Sequence, residues 1–181
     1  VDPRILVLLI GITAIAAIWV GIWQKLRPNA YHRKVRGQSE RALDRVRDMP
    51  DGAIIAYLRK MNPHAVEELV LDAASAAGHA VRRNHSYTCD GGVDGEIHVD
   101  GSWCLVQTKR YSRSIDPKHV ADFSRVCAHR GQPGLFIHCG RTGRKSRDNA
   151  TGDVRFVSGQ ALVALIKGES LDNPVPAAIA A

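Results

Sequence analysis

Asp90-Gly91-Gly92-Val93-Asp94 and, a short way on, Trp103-Cys104-Leu105-Val106-Gln107-Thr108-Lys109-Arg110 decide how this chain reads. Between them lies Gly95-Glu96-Ile97-His98-Val99, followed by Asp100-Gly101, a strong two-residue hairpin signal. Trp103 to Val106 is a short apolar run suited to a buried strand. Strand side chains alternate faces, so Gln107 and Lys109 point one way and Thr108 the other. If Asp94 lies beside them on the neighbouring strand, a carboxylate, an amide oxygen and an ammonium converge. Such a set can hold a divalent cation, a water and a phosphate. Gly91 and Gly92 remove side chains where the backbone needs φ > 0 or close approach to a ligand.

Outward from this hairpin the pattern alternates. Pro63 to Ala77 reads as a helix, with Asn62 as cap and Val66, Leu69, Val70 and Ala73/Ala74 as its apolar stripe. Gly52 to Met61 reads as a helix before it. Strands are expected at His79–His85, Val93–Val99 and Trp103–Lys109. Then come a helix over Pro117–His129, a strand over Gly134–Cys139, a short helix over Arg144–Ala150, a strand over Val154–Val157 and a helix over Ser158–Ile166. This order predicts an α/β sandwich: a mixed central sheet flanked by helices.

The motif residues carry a resemblance. Asp-Gly-Gly-Val-Asp, then Gln-x-Lys-Arg-Tyr, resembles the Mrr-like branch of the PD-(D/E)xK restriction-endonuclease-like nucleases. The similarity runs from about Ala65 to Lys167. In that branch a helical glutamate comes first, in a phrase like aromatic-Glu-x-Leu-Val. Val66-Glu67-Glu68-Leu69-Val70 occupies that place here, with Val66 instead of the aromatic, so Glu67 and Glu68 both stand as candidates. His138-Cys139 stands where the family commonly shows small hydroxyl residues. The resemblance implies a restriction-endonuclease-like sandwich, Mg²⁺ as cofactor, double-stranded DNA as substrate and restriction of foreign or modified DNA as the setting. A homodimer is compatible with it.

The chemistry asked of these residues is phosphodiester hydrolysis. It needs a positioned water, charge neutralisation at phosphorus and help for the leaving oxygen. Asp94 is the expected charged ligand of the cation. Gln107 stands where related nucleases place an acid; its amide oxygen coordinates a hard cation without adding charge. Lys109 orients the water or neutralises phosphate. Glu67 projects from its helix toward the metal, directly or through water. Taken singly, each has an ordinary alternative: a turn-capping Asp, a sheet glutamine, a strand-end lysine, an exposed helix glutamate. Asp90 reads as structural. Arg110, Tyr111, Arg113 and Lys118, with Arg144 and Lys145 further on, are expected to follow a phosphate backbone.

Composition sets the frame. The chain has 181 residues, a formal charge of +7 and a pI near 9.5, which favours anionic partners, nucleic acid or an anionic membrane surface. Its four cysteines, Cys89, Cys104, Cys127 and Cys139, form no CxxC pair and read as buried thiols. A zinc site from Cys127, His129, His138 and Cys139 has no standard spacing.

Ile5 to Trp23 carries no charge. As a helix it reaches about 28 Å, close to the hydrocarbon thickness of a bilayer. Lys25, Arg27, Arg33, Lys34 and Arg36 follow it, whereas only Arg4 precedes it, offset by Asp2. The positive-inside rule then gives a single-pass anchor of the inner membrane with the C-terminal domain in the cytoplasm. A cleaved signal peptide would carry its basic residues ahead of the apolar run. The expected organisation is an anchor over 1–23, a basic juxtamembrane linker over 24–52, the nuclease domain over 53–168 and a flexible tail over 169–181. The rival readings are a non-cleaving DNA-binding module and a membrane component of a DNA-transfer or secretion apparatus.

Overall fold

The structure, a computed structural model, describes residues 4, 11–13, 15–20, 30–84 and 92–172. The chain divides into two compact units, Val1–Lys34 and Val35–Ala181. In the first, residues 11–13 and 15–20 are helical and their side chains exposed, Ile18 and Trp19 among them. The rest of the expected anchor lies outside the described residues. Among the described residues no helix is long and apolar enough to cross a membrane.

Helices α1 (Ala30–Arg47), α2 (Asp51–Leu58) and α3 (Pro63–Ala76) lead into strands β1 (Val81–Arg83), β2 (Gly95–Val99) and β3 (Ser102–Lys109). Helix α4 (Pro117–Arg130), β4 (Gly134–His138), α5 (Arg144–Asp148), β5 (Val154–Ser158) and α6 (Gln160–Ile166) follow. The five strands lie in the order of the sequence. The first three pair antiparallel and the last three parallel, giving the expected mixed sheet.

Local chemistry starts the helices where the sequence signals them. The Asn62 side chain accepts the His64 N–H and Pro63 takes the first helical position of α3. Asp116 and Pro117 do the same for α4, which ends on Gly131 in the left-handed region. Alternation along β3 divides the core. Cys104 and Val106 face a cluster built from α1, α2, α3 and α6, while Leu105 faces one built with α4 and Phe136. Each fully buried Leu, Ile or Phe in these clusters contributes about 1.5–3 kcal/mol.

Three segments differ from the sequence expectation. The basic stretch before residue 52 is not only a linker: Val35, Ser39, Ala42 and Val46 of α1 are buried, spaced four, three and four apart. Ser39 Oγ donates to Asp72 of α3 at 2.5 Å, which ties α1 to the domain. Strand β1 is only three residues long, since His79 leaves the sheet. His79 Nε2 accepts the Leu171 N–H at 2.9 Å, so the proton sits on Nδ1, which donates to the His98 carbonyl at 3.0 Å. Of the expected flexible tail, the part up to Asp172 is described, and there Leu171 is buried; residues 173–181 lie outside the described residues.

Candidate active site

The β2–β3 hairpin positions the central residues. Asp100 and Gly101 both have positive φ, 50° and 79°, and join Val99 to its register partner Ser102. That is the turn whose twist suits a two-residue hairpin. At the far end of the hairpin the Asp94 N–H donates to the Val106 carbonyl at 2.8 Å, extending the ladder beyond Gly95. Asp94 Oδ2 then accepts the Thr108 N–H at 2.5 Å. This bond fixes the carboxylate against β3, next to Gln107.

Gln107 is 6% exposed. Its Nε2 donates to the Gly92 carbonyl at 2.6 Å. Turning the amide over would set two acceptor oxygens against each other at that distance, so the orientation follows from the bond. Its Oε1 is left buried, with no hydrogen-bond partner among the described residues. Gly92 makes this arrangement possible. Its φ is +80°, and a Cβ there would stand 2.5 Å from Gln107 Nε2. Asp90 and Gly91 lie outside the described residues.

Lys109 ends β3, half-buried, on the same face as Gln107. Its ammonium has no ion-pair or hydrogen-bond partner among the described residues. Thr108 points to the α3 face, where its buried hydroxyl also lacks a partner among the described residues. Asp94, Gln107 and Lys109 are thus brought together at the C-terminal edge of the parallel strands, where open α/β sheets carry their ligands.

The two glutamates of α3 separate clearly. Glu68 is buried, bonded to Arg83 of β1 at 2.9 Å and 3.7 Å from Arg36. Arg83 also binds Asp72 at 2.7 Å. Glu68 is a member of a structural ion network. Glu67 is mostly buried, and its carboxylate meets His64 Nδ1 at 2.9 Å. Both glutamates sit one turn before Leu71, whose methyl groups pack against Gly95. No bond joins Glu67 to Asp94, Gln107 or Lys109 among the described residues, and α3 packs on the sheet face opposite to the one Gln107 and Lys109 point to.

The basic candidates fall into two kinds. Arg113, Lys118 and Lys145 are exposed, as is Arg144, which stands 4.0 Å from Asp148. Arg110 donates to the Arg59 carbonyl, and Tyr111 OH meets His119 Nδ1. Burial raises the Tyr111 phenol above its ordinary pKa, so the ring stays neutral. The fold brings the two basic groups together, which their sequence separation does not suggest. The Arg141 N–H donates to the Arg113 carbonyl and the Ile115 N–H to the Arg141 carbonyl, both at 3.1 Å. Gly140 allows this: a Cβ there would stand 2.5 Å from the Arg113 carbonyl. Arg59 escapes sequence reasoning altogether. Its Nε and Nη2 both donate to the Cys139 carbonyl, at 2.9 and 2.6 Å, just past the end of β4.

A hard cation fits this site better than a soft one. The donors are the Asp94 carboxylate and the buried Gln107 amide oxygen, the latter with no hydrogen-bond partner among the described residues, and oxygen donors suit Mg²⁺. Among the described residues no three His, Cys, Asp or Glu side chains group as metal ligands. The zinc combination does not assemble. His138 is spent on the Gly140 N–H and on Thr142, His129 is exposed, and burial lifts the Cys127 and Cys139 thiols to about 11.

Comparison with known proteins gives one match. A family model described as restriction endonuclease, of the Mrr catalytic type, covers residues 58–166, more than half of the chain. No curated protein and no solved structure matches it.

Proposed function

The chain belongs to the restriction endonuclease family, and from that premise we propose that it is a Mg²⁺-dependent DNA endonuclease held at the inner membrane with its domain in the cytoplasm. The observation that carries the cation dependence is the Gln107 amide, pinned through its nitrogen so that a buried oxygen faces the site beside Asp94. Asp94 and Gln107 would hold the cation. When bound, it would neutralise phosphate charge and favour ionisation of the attacking water.

The chain's own groups do the rest. Asp94 supplies the only negative charge of the pair, and the Thr108 N–H keeps that charge oriented. Lys109, with no acidic partner among the described residues, meets the scissile phosphate and balances the charge that builds on its oxygens. Arg113, Arg141 and Lys118 guide the flanking phosphates. Glu67, held by His64 on α3 against the opposite sheet face, would reach the cation only through water. Water oxygen bonds to phosphorus as the ester P–O bond breaks, and the departing oxygen takes a proton. Restriction of modified DNA follows the family resemblance, and the membrane anchor follows the Ile5–Trp23 run and the arginines and lysines behind it.

The test is plasmid cutting by the full chain with Mg²⁺ or EDTA, for the parent, Asp94→Asn and Lys109→Met. Cutting by the parent with Mg²⁺ only, lost in both variants, supports the reading. Equal cutting by all three overturns it. Membrane fractionation and a C-terminal reporter test the anchor; a reporter active only outside the cytoplasm reverses the orientation.

A further inference from the structure

Away from the hairpin, α1, α2 and α3 enclose a half-open cavity of about 320 Å³. Arg41 and Arg45 project into it from successive turns of α1, Tyr57 and Met61 come from the α2 end, and Asn62 from the cap of α3. Ala42 and Ala65 leave its floor small and apolar. Neither guanidinium has an acidic partner among the described residues, although α1 carries Glu40 and Asp44 and other arginines of the chain are paired.

Like charges four apart on a helix oppose each other, and two unpaired arginines at the mouth of a concavity attract an anion. Gly37 adds to this. A glycine inside a helix is less favourable than alanine, and here its bareness makes room for Arg41: a Cβ at 37 would stand 3.3 Å from Arg41 Nη1. The cavity is several times larger than a lone phosphate needs. It joins the cationic mouth to an aromatic side chain, an apolar floor and the amides of Gln38 and Asn62. A planar ring with polar edges and an attached phosphate uses all of these features.

The geometry points to a nucleotide site here, taking a nucleoside monophosphate with its phosphate on Arg41 and Arg45 and its base against Tyr57 and Met61. The nucleotide is either free or an extrahelical residue of bound DNA; the chemistry is shared. Asn62 lies in the same turn as His64, whose backbone it caps and whose ring holds Glu67. The site is distinct from the cation-binding residues and is tested without any cutting.

In EDTA, the full-length protein is titrated calorimetrically with each deoxynucleoside 5′-monophosphate and with inorganic phosphate. We expect saturable nucleotide binding, weaker phosphate binding, and at least a tenfold loss of nucleotide affinity in Arg41→Gln and in Arg45→Gln. Tyr57→Leu should weaken nucleotide but not phosphate. A second arm compares a paired duplex with one carrying a single unpaired base. A preference for the bulged duplex that Arg41→Gln removes assigns the nucleotide to DNA; free-nucleotide binding without that preference assigns it to a small molecule. Absence of both, equal affinity for phosphate and nucleotide, or affinities unchanged by the arginine substitutions overturns the site. Because cutting is not measured, these results stand apart from the fate of the nuclease reading.

Discussion

His138 stands in register beside Lys109 on the parallel β3–β4 pair, with its ring buried and both ring nitrogens hydrogen-bonded. Its Nδ1 accepts the Gly140 N–H at 3.2 Å, so Nε2 carries the proton and donates to Thr142 at 3.0 Å. Phe136 and Phe156 close around the ring. Burial lowers its pKa to about 4 from 6.5. At neutral pH the buried ring therefore sets no second charge beside Lys109 on the adjacent strand.

That burial gives stability a pH dependence. A histidine whose folded pKa is depressed is neutral in the folded state while the unfolded chain takes up a proton. Its contribution is complete above pH 6.5 and drains away as pH falls toward about 4. The full amount is about 3 kcal/mol. Urea unfolding from pH 7 to pH 4 should show this slope, and His138→Gln should flatten it. A parent and variant with parallel pH profiles would show that the ring is not the source.

Gln107→Glu keeps an oxygen in the site but replaces the group that donates to Gly92. A carboxylate then faces a carbonyl at close range. Without metal, stability should fall by about 1–3 kcal/mol. Mg²⁺ should restore most of it and raise the variant's melting temperature more than the parent's. Half-maximal cutting should need less Mg²⁺, because two carboxylates attract a divalent cation more strongly than one carboxylate and an amide. Gln107→Leu should lose the metal response entirely. Identical Mg²⁺ titrations for all three forms would make Gln107 a sheet residue only.

Gly92→Ala should cost about 2 kcal/mol, from the positive φ and from the displaced Gln107 amide. Gly152→Ala is the control. It has a similar φ of +70° but no atom within 4 Å of its Cβ. That variant should lose only about 1 kcal/mol and cut normally. Equal cutting by both would detach Gly92 from the site.

The α3 glutamates should split by phenotype. Glu68→Gln breaks a buried network with Arg83 and Arg36, lowering stability by about 2 kcal/mol. Glu67→Gln should leave the melting temperature nearly unchanged and reduce cutting, though less than Asp94→Asn does. Melting curves and single-turnover rates on the two variants decide; reversed phenotypes would exchange the assignments.

Much of this architecture is visible in local sequence because it is local physics. Asp100-Gly101 demands a hairpin, Asn62-Pro63 starts a helix, and period two along β3 sets Gln107 and Lys109 on one face. Contacts between distant segments leave no such trace. The buried stripe of α1 is hidden among arginines and reads as a linker. Arg59 reaches Cys139 across the fold, and His79 grips Leu171 instead of continuing a strand. The choice between Glu67 and Glu68 needs helix phase against Arg83, which spacing within one helix cannot supply.

The bonds that orient Asp94 and Gln107 close only 14 and 15 residues of chain, whereas Arg59 reaches Cys139 over 80. Short loops lose little entropy on closing, so the bonds that orient Asp94 and Gln107 belong to one local hairpin and depend little on the rest of the chain. Substitution within the hairpin therefore disturbs Asp94 and Gln107 locally, whereas loss of the Arg59 clasp uncouples segments far apart in the chain.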